Sequence, residues 1–116
     1  MTAPNIVAVT TISGKTAVQA VSTTTTAITT NSGGSGKVLK VNALYVSNIN
    51  SGSATIDVEI YRSSTSYRIA KSVIVPSGTT LDIISKSLYL EEGDALRLTA
   101  SLSSYLEAVC SYEEIS

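Results

Sequence analysis

The chain has 116 residues, 43% of them hydrophobic and 15% charged, with a net charge of −1. That is enough for one core and too apolar for a disordered chain. Acidic and basic residues are intermixed, so no basic stripe argues for nucleic acid, and no apolar run is long enough to cross a bilayer. His, Phe and Trp are absent. The first absence removes the commonest general base; the others leave Val, Ile, Leu, Ala and some of the six Tyr to build the core, which favours thin sandwich packing.

In chain order, Met1 to Asn5 is a polar N-terminal arm with Pro4, and residues 6–116 form a single β-sandwich domain. The arm lacks the basic residue and long apolar run of a signal peptide, so none is expected. Ile6 to Ile12 is β-branched and strand-like, and Ser13-Gly14-Lys15 is expected to turn it into a second strand from Thr16 to Ser22. Thr23 to Thr30 has high β propensity but little to bury, which fits an edge strand or surface ribbon. A single Thr patch falls short of the repeated ladder that an ice-binding face requires.

Asn31 to Gly36 is a loop with three glycines. It lacks the Ser/Thr and the following helix of a phosphate-binding loop, so a hairpin or sheet-crossing loop is expected. Lys37 to Asn48 is the longest apolar run. Leu39, Val41, Ala43 and Tyr45 alternate onto one face and Val38, Leu44 and Val46 onto the other, the pattern of a central strand covered on both sides.

Thr55 to Tyr61 alternates cleanly, with Ile56, Val58 and Ile60 inward and Asp57, Glu59 and Tyr61 outward. Asp57 and Glu59 lie about 7 Å apart on such a face. With no histidine nearby they are expected to be solvated or paired with Arg62, Arg68 or Lys71 rather than to form an acid/base couple. Ser63 to Ser66 is a turn, Tyr67 to Val75 a strand ended by Pro76-Ser77-Gly78, and Thr79 to Ser85 a further strand.

Leu88 and Leu90, then Leu96 and Leu98, alternate with polar residues on either side of Glu91-Glu92-Gly93-Asp94. This reads as a hairpin with a solvated acidic tip. The three carboxylates lack the spaced oxygen ligands of a dedicated calcium loop. Leu106, Ala108, Cys110 and Tyr112 alternate in the closing strand. Cys110 is expected to be a small buried core residue, Tyr112 to share its face, and Glu113 and Glu114 to stand at the rim. A lone cysteine permits no intrachain disulfide, which suits intracellular folding. Eight or nine short strands at about ten-residue spacing, without an amphipathic helix, predict an all-β, antiparallel β-sandwich, jelly-roll-like.

No nucleophile, base and orienting group come together in the sequence, so no enzyme activity and no cofactor is expected. Tyr61, Arg62, Tyr67 and Arg68, with Lys71 nearby, form the one local aromatic and basic cluster. Together with Tyr112, Glu113 and Glu114 they are the candidate protein-contact residues, since Tyr and Arg are favoured at interfaces.

The segments TAPNIVAVTTISGKTAVQAVSTTTTAI, GKVLKVNALYVSN, LYLEEGDALRLTAS and LEAVCSYEEIS resemble small virion proteins of tailed bacteriophages, particularly those infecting cyanobacteria and other aquatic bacteria. The resemblance implies a non-enzymatic particle component assembled in the host cytoplasm. Its first reading is a capsid decoration or cement protein that contacts its own copies, as a trimer, and the major capsid protein. A tail, neck or baseplate component is the alternative. A receptor- or glycan-binding module, with Tyr45, Tyr61, Tyr67, Tyr105 or Tyr112 as a platform, is third. No membrane or nucleic-acid partner is implied.

Overall fold

The computed structural model describes residues 10–116; the Met1 to Asn5 arm and most of the first expected strand lie outside them. Among the described residues there is no helix. The strands are β1 (Ile12–Ala20), β2 (Thr26–Thr30), β3 (Val38–Asn48), β4 (Ala54–Arg62), β5 (Thr65–Val75), β6 (Thr80–Asp82), β7 (Leu88–Leu90), β8 (Ala95–Ala100) and β9 (Leu106–Ile115). They form two antiparallel sheets, β1-β9-β3-β6 with β7 also on β3, and β2-β8-β4-β5. Among the described residues the expectation of an all-β fold with eight or nine strands is met, with nine.

The strand pairs are nested: β1 with β9, β2 with β8, β3 with β6 and β7, and β4 with β5. β6 and β7 line one edge of β3, opposite Tyr45, Val46 and Ser47 and opposite Leu39, Lys40 and Val41 respectively. They therefore behave as one interrupted strand. Further pairing of β3 with β9 and of β4 with β8 rolls this ribbon into the two sheets. Both sheets feed one core, in which Leu39, Val41, Leu44, Val46, Leu90 and Cys110 meet Ile56, Val58, Val75, Leu96 and Leu98. Burying an aliphatic side chain of this size contributes about 1.5–3 kcal/mol.

Three expectations are corrected by this arrangement. First, Ser13-Gly14-Lys15 is not a turn. β1 passes straight through it, with nine consecutive pairs to β9 from Ile12 opposite Ile115 to Ala20 opposite Glu107. A Ser-Gly pair is only a local signal, and the unbroken ladder gives the backbone groups that face β9 partners which a turn would have left open.

Second, β3 divides its apolar residues differently from the expected alternation, and Ala43 and Tyr45 do not share a face with Leu39 and Val41. The β3–β9 register shifts between Val41 and Ala43, leaving Asn42 as an extra residue. This bulge reverses the alternation, so Leu39 and Val41 before it and Leu44 and Val46 after it all point into the core.

Third, Leu88 to Leu98 is not a hairpin. β7 pairs with β3 in one sheet, whereas β8 pairs with β2 and β4 in the other. Glu91 to Asp94 is the crossover between them. Leucine alternation identifies a buried face on each strand but does not say that the two strands share a sheet.

Two buried asparagines tie the crossovers together in pairs. Asn31, which follows β2, donates through Nδ2 to the carbonyls of Lys37 and Leu90 and accepts from the Ser35 hydroxyl. Its backbone exchanges bonds with Gly93 and Asp94. At the other end of the molecule, Asn48 donates to the carbonyls of Gly52 and Val75 and accepts from the Asn50 amide. Each amide thus satisfies carbonyls of two different crossovers that would otherwise be buried without a donor.

Candidate protein-contact surfaces

β4 is central in its sheet, so its outward residues are flanked on both sides. Glu59 faces Arg97 of β8 and Arg68 of β5, and only 3% of it is exposed. One carboxylate oxygen accepts from Arg68 at 2.6 Å; the other accepts from the Ser66 hydroxyl at 2.6 Å and from Arg97. Burial works to raise the Glu59 pKa, but the Ser66 hydroxyl and Arg97, with Arg68, outweigh it and hold the carboxyl below its usual value. The Arg97 guanidinium also lies over the Tyr61 ring, 3.8 Å from its centroid.

Asp57, two residues away on the same face, is engaged separately. It accepts the Ser72 amide at 2.6 Å and lies 3.5 Å from Lys71 Nζ. Ser72 is in the left-handed region, φ 52°, and with Lys71 makes the irregularity where β5 slips against β4. Asp57 therefore seals a bulge on an edge strand.

Arg62 points to the other face. Its guanidinium reaches Asp94 through Nε at 2.7 Å and Nη2 at 2.5 Å, and Glu91 at 2.8 Å. Asp94, 1% exposed, also accepts the Glu91 amide. For Asp94, burial pushes the pKa upward; Arg62 and the Glu91 amide override it and keep the carboxyl below its usual range. The bond to Asp94 raises the Arg62 pKa further above its normal value. Glu92 accepts the Gly36 amide. The acidic turn is therefore not a solvated tip, because two of its carboxylates bind Arg62 and the third binds the loop beyond Asn31. Among the described residues, no group of three or more Cys, Asp or Glu is placed to hold a metal.

The four residues of the aromatic and basic cluster accordingly separate. Tyr61 and Arg68 share the Glu59 face, while Arg62 and Tyr67 line a shallow cleft of about 260 Å³ with Ile60. Adjacent residues on a strand point to opposite faces, and Tyr61-Arg62 and Tyr67-Arg68 are each such a pair.

In β9, Cys110 is fully buried, and burial pushes its thiol up to about 11. Tyr112 packs against the same core. Glu114 lies 3.5 Å from Lys15 and 3.3 Å from Lys37, and Glu113 accepts from Asn42 at 3.0 Å. The structure thus brings these residues together with the ends of β1 and β3.

A different surface carries exposed apolar residues. On the outside of the β9 sheet, Val18, Val109 and Tyr45 stand side by side across β1, β9 and β3, exposed to 75%, 39% and 43%. Sequence reasoning did not join them, because their adjacency follows from pairing across some ninety residues and from the Asn42 bulge. Arg97 was missed for a similar reason: its carboxylate partner lies on a strand reached through two sheet crossings.

No protein-family model, curated protein or solved structure matches the chain.

Proposed function

We propose that this chain is a non-enzymatic structural protein of a tailed-phage virion, specifically a capsid decoration or cement protein that stabilises the shell through protein–protein contacts. Besides the resemblance of its segments to small virion proteins, one observation carries the reading. The buried carboxylates Glu59 and Asp94 are bound by Arg68, Arg97 and Arg62 within the domain, while Val18, Tyr45, Ile49, Tyr67, Ile74 and Val109 are left exposed. A domain that braces itself internally and presents apolar side chains outward is suited to burying surface against other protein.

We also read the sandwich as a jelly roll. This is supported by the nested pairing, which is that of one long hairpin ribbon wrapped so that its arms contribute alternately to two four-stranded layers, with β6 and β7 counted as one strand.

The test is a particle assembled without the protein. Shells should still form and package, but should open at lower temperature or lower ionic strength than complete particles, and adding purified protein should restore them. Copy number should match the repeat of the shell lattice. Unchanged shell stability with defective tails, or a copy number fitting a single ring, would replace the decoration reading with a tail or neck role.

A further inference from the structure

We propose that two copies of this chain stack through the outer face of the β1-β9-β3-β6 sheet, about a two-fold axis parallel to the strands and running between β3 and β9. The inference does not depend on the proposed function: it rests on the geometry of this face alone and puts a pair in place of the trimer that the resemblance implies.

The face is ordered in rows by the strand registers. One row runs Gly14, Glu113, Lys40, Tyr89; another runs Val18, Val109, Tyr45, Asp82; a third runs Ala20, Glu107, Ser47, Thr80. A two-fold axis between β3 and β9 keeps each row opposite itself and exchanges its two ends. Lys40 of each copy then lies over Glu113 of the other, placing a positive charge on a negative one twice. Tyr45 lies over Val109 twice, so this central apolar pair covers itself, while Val18 at the end of the row meets Asp82. Tyr89 lies over Gly14, which has no described residue close beside its backbone, so its ring has room to enter. Self-complementarity of this kind is what an isologous interface requires. The alternative with the axis across the strands at the middle of β9, midway between Glu107 and Glu113, sets these two glutamates over each other and is disfavoured by like charge.

The area is adequate. β1, β9, β3, β6 and β7 have 9, 10, 11, 3 and 3 residues; at about 3.3 Å per residue and about 4.8 Å between strands they present roughly 570 Å² per copy. Two copies bury roughly 1,140 Å², above the roughly 1,000 Å² that a specific interface should clear. Two sheets packed in this way lie about 10 Å apart with strands within about 30° of alignment, which leaves room for Tyr45 and Tyr89.

The experiment is sedimentation and light scattering of the full chain, with circular dichroism and melting temperature recorded for every variant. The wild type should be a dimer at concentrations on the order of 10 μM. Val109→Glu and Tyr45→Glu, both on the outer face, should melt as the wild type does and sediment as monomers. Lys40→Glu and Glu113→Lys should each weaken the dimer by about tenfold or more, and the double exchange should recover most of that loss. A wild type that is monomeric at about 100 μM, an assembly indifferent to folded Val109→Glu, a trimer, or a double exchange that recovers nothing would each overturn the stacked pair. A monomer that still protects shells would remove the pairing and leave the decoration role; a dimer that never binds shells would do the reverse.

Discussion

Glu59 and Asp94 are the carboxylates that the fold takes out of water, and each is held ionised by arginine and by a further donor. Their folded pKa values lie below the ordinary 4.5 and 3.8, so the unfolded chain binds their protons first. Their contribution is complete above those ordinary values and is lost as pH falls through the lower folded ones. Urea midpoints should therefore be flat from neutral pH to about pH 5 and drop below about pH 4.5. Glu59→Gln and Asp94→Asn should each cost about 1–3 kcal/mol at pH 7. Their deficit against the wild type should narrow towards pH 3, and curves that stayed parallel would mean that these pairs do not govern acid stability. The asparagines act without charge. Asn48→Ala strips donors from the carbonyls of Gly52 and Val75 and should cost about 2–3 kcal/mol by chemical denaturation, with Asn48→Asp worse because a carboxylate cannot donate.

At the scale of the element, short irregularities decide which face a strand presents. Asn42 is the clearest case: one inserted residue lets Leu39, Val41, Leu44 and Val46 share the core. Deleting Asn42 would turn either half of β3 inside out, and the expected result is loss of the cooperative thermal transition. A stable, folded deletion variant would show that the bulge is dispensable. The β4–β5 connection offers the opposite kind of test. Ser63 and Ser64 both have positive φ, 51° and 61°, the conformation of a two-residue type I′ hairpin in which Asn-Gly is preferred. Replacing them by Asn and Gly should relieve the left-handed strain and stabilise the domain by roughly 0.5–1.5 kcal/mol, read as a higher melting temperature with no change in pH dependence.

At the scale of the whole molecule, nested pairing makes the outermost contacts the most distant in sequence. Thr10 and Thr11 donate to the carbonyl of Ser116, and among the described strands β1 pairs with β9 alone. Such topology closes long loops before it gains contacts, so refolding should be slow for this size, on the order of milliseconds to seconds. The β4–β5 hairpin is the local part of the ribbon and is expected to order first, with β1–β9 pairing last. Hydrogen exchange pulsed during refolding measures that order directly, and early protection in β1 would contradict it.

That the described residues are all-β, roughly where most strands lie, and which leucines, valines and isoleucines are apolar partners could be read from the sequence, because a period of two and the turn residues are local properties. Cys110 and Tyr112 were legible for the same reason. Asp57 and Glu59 could be read only as solvated or paired with Arg62, Arg68 or Lys71, because the short β4–β5 turn keeps these residues near one another without saying which pair forms. Tertiary structure alone decided which sheet each strand joins. It made Glu91 to Asp94 a crossover instead of a hairpin, carried β1 through Ser13-Gly14-Lys15, and brought Arg97 to Glu59 and Val18 beside Val109 and Tyr45. Those outcomes depend on backbone pairing between segments far apart in the chain, and alternation within a segment carries no information about the segment it will pair with.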